Sequence, residues 1–121
     1  LHALYKVASL REVRYINGKD MLINRIEVDQ LDDELMNFKY NSGFFFEYDV
    51  EQLDEIIPLC DDRCQTLTYY GLSDESIRAF FDRCRPRGID RVVPMGKSMD
   101  FSLVWDGYDL IRGMSRRINI I

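Results

Sequence analysis

Two short runs near the start of the chain mix apolar and polar side chains in a strand-like pattern. Arg11-Glu-Val-Arg-Tyr-Ile16 and Met21-Leu-Ile-Asn-Arg-Ile-Glu-Val28 are rich in β-branched and aromatic residues, and Asn17-Gly18 lies between them. Asn-Gly readily adopts the positive φ angles of tight hairpin turns, so the pattern predicts a β-hairpin. From Asp29 to Phe38 the chain is polar and acidic, with Leu31, Leu35 and Phe38 spaced for a short helix or turn. Beyond Gly43 the period alternates between that of a strand and that of a helix. Phe44-Phe-Phe-Glu-Tyr48 predicts a strand. Asp49 then stands as an N-cap with Gln52 three residues later, ahead of a helix through Leu53, Ile56 and Ile57 that closes at Pro58.

The alternation continues to the end of the chain. Cys64-Gln-Thr-Leu-Thr-Tyr-Tyr70 predicts a strand that stops at Gly71. Ser73 caps a helix whose Ile77, Phe80, Phe81 and Cys84 share one face, with Pro86 and Gly88 ending it. Arg91-Val-Val-Pro94 is a further strand, Asp106 opens a last helix through Leu110, Ile111 and Met114, and Ile118–Ile121 is a terminal strand. Residues 1–40 thus read as hairpin and connector, and residues 41–121 as an alternating β/α half-sheet, together one domain or a fragment of one. The predicted fold class is α/β, a largely parallel sheet with helices on its faces, preceded by the hairpin. Ligands of such sheets gather beyond the carboxyl ends of the strands. Here those ends are near Asp49, at 71–73 and along the irregular connection Met95–Trp105, which holds the single Trp.

Composition narrows the function classes. Of 121 residues, 46% are hydrophobic and 31% charged, which excludes intrinsic disorder. A net charge of −5 argues against a general nucleic-acid binder, because phosphate neutralisation needs clustered Lys and Arg. No apolar run is long enough to span a bilayer. Three cysteines, Cys60, Cys64 and Cys84, are an odd number and favour reduced thiols in a cytoplasmic protein. With His2 as the only histidine they supply too few ligands for tetrahedral zinc, and they read as small hydrophobes. The chain opens on Leu1 and closes on an apolar run, which reads as a piece of a longer protein.

Familiar catalytic motifs are missing. Met95-Gly-Lys-Ser98 ends like a phosphate-binding P-loop, but Arg91 occupies the place of the first glycine and Pro94 removes a backbone donor. There is no Gly-x-Gly-x-x-Gly and no Gly-x-Ser-x-Gly, and a Ser-His-Asp arrangement would have only the terminal His2 as base. A receiver domain would need an acidic pair after its first strand and a late Lys-Pro, whereas Asp61-Asp62 precede a middle strand and Lys97 is followed by Ser98.

One ordered series is more specific. Cys64-Gln-Thr-Leu-Thr-Tyr-Tyr-Gly71, Gly88-Ile-Asp-Arg-Val-Val-Pro-Met-Gly96, Asp100-Phe101, Trp105-Asp-Gly-Tyr-Asp-Leu-Ile111 and Ser115-Arg116 together resemble bacterial acyl-CoA reductases. These are relatives of the fatty-acid reductase of bioluminescence, within the aldehyde dehydrogenase superfamily. The similarity runs over most of residues 20–121 and is sharpest over 64–116. The resemblance implies a cysteine thiolate that attacks an acyl-CoA thioester, and a reduced nicotinamide, NADPH or NADH, that turns the acyl-enzyme into fatty aldehyde. It places the nucleophile and most of the cofactor domain upstream of this chain, so the segment alone should be inactive. It also implies a homo-oligomer, with the Asn17-Gly18 hairpin as the counterpart of an associating strand pair.

Four residues are site candidates by that resemblance. Glu47 is the nearest equivalent of a glutamate that holds the nicotinamide ribose, although its motif lacks Phe-Gly-Pro; otherwise it is an exposed glutamate at a strand end. Trp105, Asp106 and Gly107 align with a late loop beside the acyl tunnel, while locally Asp106 caps the last helix and Trp105 fills the core. The rival class is a small non-catalytic α/β binding or assembly module.

Overall fold

The computed structural model describes residues 2–17, 22–38, 40–41 and 43–121. The hairpin strands pair as their alternation requires. Strand β1 (Val13–Asn17) runs antiparallel to β2 (Asn24–Val28), with Tyr15 opposite Ile26 and Asn17 opposite Asn24. The turn expected at Gly18 lies outside the described residues. Period-2 geometry sends Ile26 and Val28 into the core, with Glu27 between them half-buried and Arg25 before them exposed. Strand β3 (Phe44–Glu47) adds in parallel along β2, Ile26 opposite Phe46. Phe44 and Phe46 share the core-facing side, their rings edge to face at 5.5 Å, while Phe45 on the other face is 52% exposed.

Helical pieces close this core. The acidic connector forms a 3-10 helix, Asp33–Asn37, whose Leu35 joins Ile26 and Val28. Helix α1 (His2–Ala8), which no strong periodicity announces, buries Val7 completely and packs Leu4 on the same cluster. The helix expected from Asp49 is instead a 3-10 helix, Leu53–Leu59, with Gln52 at its cap. Glu55 explains the shift: its carboxylate accepts from the backbone N–H groups of Glu51 and Gln52 at 2.9 and 2.8 Å. Pro58 lies inside this helix and has no N–H for an α-helical bond.

The following segment builds a β-α-β unit. Strands β4 (Thr66–Tyr69) and β5 (Arg91–Pro94) are parallel, Leu67 opposite Val92, and helix α2 (Asp74–Cys84) connects them. Ser73 caps α2 as its sequence predicts, its hydroxyl accepting from the Ser76 N–H at 3.2 Å. Ile77 and Phe80 form the buried face of α2, and Arg85 ends it with a left-handed φ of 46°. Two short strands, β6 (Val104–Trp105) and β7 (Tyr108–Asp109), make a tight hairpin before helix α3 (Leu110–Met114).

Helix and strand content together make the fold mixed α/β, but the largely parallel sheet does not form. The described strands fall into three small sheets: β1-β2-β3 with one antiparallel and one parallel pair, β4-β5, and β6-β7. Strand β3 takes its partner from the hairpin, where Phe44 and Phe46 pack on the Ile26 cluster, and β4 takes its described partner, β5, from across α2. The expected terminal strand at Ile118–Ile121 is also absent: no strand among the described residues pairs with it, and its isoleucines are exposed. The chain divides into two compact units, Leu1–Cys60 and Asp61–Ile121. No helix among the described residues is long and apolar enough to cross a membrane.

Candidate functional site

The second compact unit assembles most of the residues singled out above. Asp106 and Gly107 form the two-residue loop between β6 and β7, with φ angles of 49° and 79°. Positive φ at both positions is the signature of a type I′ turn, for which Asp-Gly is a preferred sequence. Asp106 is therefore a turn residue and not the cap of the last helix. That cap is Asp109, whose carboxylate accepts from the Arg112 N–H at 3.0 Å. Replacing Asp109 with Ala should cost about 1 kcal/mol, whereas Asp106→Gly should be neutral or slightly stabilising, because glycine adopts positive φ without a Cβ penalty. Urea midpoints followed by Trp105 fluorescence give the comparison, and the opposite order would return the cap to Asp106.

Trp105 is held between loop and strand. Phe101 stacks on its indole with ring centres 5.1 Å apart and planes 30° from parallel. The Arg91 guanidinium carbon lies 4.1 Å from the indole centre, within cation–π range. Arg91 also donates through Nη1 to the Ser98 carbonyl and through Nη2 to the Asp100 carbonyl, the latter at 2.6 Å. The backbone N–H groups of Asp90 and Arg91 both donate to the Gln65 carbonyl, at 3.0 and 3.2 Å. The Asp90 carboxylate packs so closely on Gly107 that a Cβ there would lie 3.0 Å from its oxygen. Trp105 is half-buried in this cluster and does not plug a core, and Phe101 keeps most of its ring exposed.

Glu47 belongs to the other unit. It closes β3 and receives a two-pronged ion pair from Arg25 on the neighbouring strand, Nη2 to Oε2 at 2.8 Å and Nε to Oε1 at 2.5 Å. The two side chains are close because Arg25 stands opposite Phe45, two residues before Glu47 on the same strand face. Hydrogen bonding from Arg25 holds the Glu47 carboxyl below the usual carboxylate range. Beside it lies a mostly apolar cleft of about 290 Å³, bordered by Val28, Leu35, Phe46 and Leu59. Both Glu47 oxygens accept from Arg25, so a ribose hydroxyl at this carboxylate would share them with that guanidinium or displace it.

The remaining candidates are ordinary. Cys60, Cys64 and Cys84 are half-buried, and the Cys60 thiol donates to the Ile56 carbonyl at 3.4 Å. Among the described residues no three His, Cys, Asp or Glu side chains are placed to hold a metal ion. Lys97, the lysine of the P-loop-like run, pairs with Asp100 at 3.2 Å on an exposed turn. Sequence reasoning missed Arg91 and Asp109 as organising residues. Asp109 carried a readable sign, a cap residue three positions before Arg112, whereas the Arg91 contacts span up to 14 residues and have no local signature. No family model, no curated protein and no solved structure matches this chain.

Proposed function

We propose that the chain is part of the catalytic lobe of an NAD(P)H-dependent acyl-CoA reductase, with the nucleophilic cysteine and most of the cofactor site in sequence outside these residues. One observation carries this reading. The separate motifs of the resemblance, Gln65, the run from Asp90 to Arg91, Asp100-Phe101 and Trp105-Asp-Gly107, converge on a single cluster through the contacts just described. Motifs that are distant in sequence but mutually in contact are what a shared site requires. In this role Trp105 supplies an apolar wall to the acyl passage, and the Asp106-Gly107 turn sets its position. Glu47 is at most a peripheral cofactor contact, since Arg25 occupies it.

Incubation of the full-length protein with acyl-CoAs and NADPH or NADH tests the proposal. Aldehyde and free coenzyme A should appear in equal amounts, and the 121-residue chain alone should give none. An acyl group trapped on Cys60, Cys64 or Cys84 would overturn the placement of the nucleophile. An assembly module is the alternative, favoured by the exposed apolar side chains Met99, Tyr108, Ile111 and Met114. Full-length protein that forms no acyl-enzyme and consumes no nicotinamide would decide for it.

A further inference from the structure

We infer that Arg91 is the positioning residue that sets the place of Trp105. Period-2 geometry puts Arg91 on the face of β5 opposite Val92. From there one guanidinium does three things at once. Its two terminal nitrogens hold the Ser98 and Asp100 carbonyls, which fixes the irregular loop after β5. Its flat face covers the indole of Trp105, which ends β6 directly before the β6–β7 turn. Phe101, carried by the same loop one residue after Asp100, stacks on that indole. Loop, indole and strand are thus tied through a single side chain. Only a planar fork offers a face and two in-plane donors together, so lysine cannot replace it. The bearing on acyl selectivity rests on the function proposed above, whereas the hold on Trp105 does not.

Because Trp105 is the only tryptophan, its fluorescence reports this cluster directly in the full chain. In Arg91→Met the emission should shift to longer wavelength and acrylamide quenching should rise at least twofold, with the far-UV circular dichroism retained. Arg91→Lys should give an intermediate change. Wild-type quenching in a folded Arg91→Met chain would overturn the inference. Should Arg91→Met lose its fold, wild-type emission and quenching in Arg91→Lys would overturn it equally. In the full-length protein, Arg91→Lys should shift the ratio of kcat/KM for long and short acyl-CoAs in the same direction as Trp105→Ala. An unchanged ratio beside altered quenching would defeat the acyl-passage reading and leave the hold of Arg91 on Trp105 standing.

Discussion

Gly88→Ala should remove a large part of the stability of the unit formed by Asp61–Ile121. A Cβ on Gly88 would lie 1.8 Å from the Asp61 carbonyl oxygen, 2.4 Å from its carbon and 2.9 Å from the Asp62 nitrogen. All three are backbone atoms, so no side-chain rotation relieves the clash. The residue also has a φ of +81°, where an L side chain adds strain of about 1–2 kcal/mol. Strain and overpacking together predict a loss of about 2–5 kcal/mol. A unit of this size has a total stability of about 3–9 kcal/mol. Gly71→Ala is the control, with a φ of +75° but open space where the Cβ would go, and it should cost only about 1–2 kcal/mol. Urea titration followed by Trp105 emission separates the two variants. Equal losses would show that the approach to Asp61 does not matter.

The same glycine shows how far the sequence could be read. Gly88 was visible as a helix stop and as the first residue of a motif, yet its partner Asp61 lies on the far side of β4 and α2 in the chain. Features written in neighbouring residues were legible: the hairpin, the Ser73 cap, the buried face of α2 and the strands on either side of it. Features decided by competition between distant segments were not. Phe44–Glu47 has the composition of a strand in any sheet, and only its packing on Ile26 and Leu35 decides that it joins β2. Local competition misled in two places. Glu55 captures the N–H groups that Asp49 was expected to cap, and Asp-Gly makes a turn where a helix start was expected. For the site, Trp105 and its turn were legible as a motif, whereas the arginine that holds them was not, because cation–π and carbonyl contacts leave no periodic trace.

The second large effect is expected at Asp32, in the other unit. Arg11 follows α1 with only 4% of its side chain exposed, and its Nη2 pairs with Asp32 at 3.0 Å and with Glu34 at 3.5 Å. Its Nε and Nη1 are buried with no hydrogen-bond partner among the described residues. Asp32→Ala should therefore leave a buried guanidinium whose nearest carboxylate, Glu34, is 69% exposed, a loss of about 3 kcal/mol. Arg11→Met removes the charge and its two orphan donors together, and should be neutral or mildly stabilising. The double variant should then recover most of the Asp32→Ala loss, a coupling of about 2–3 kcal/mol. Acid sensitivity follows from the same pair. Hydrogen bonding from Arg11 holds the Asp32 carboxyl below its ordinary value of 3.8. Between the lowered value and 3.8 the unfolded chain binds more protons than the native one, so stability rises with pH across that window. The contribution is full above it and disappears as the pH falls through the lowered value. Since Trp105 reports only the other unit, hydrogen exchange at the Ile26 and Val28 amides of β2 is the suitable measurement. Asp32→Ala with unchanged protection at neutral pH, or with the wild-type decline in acid, would show that Arg11 does not depend on Asp32.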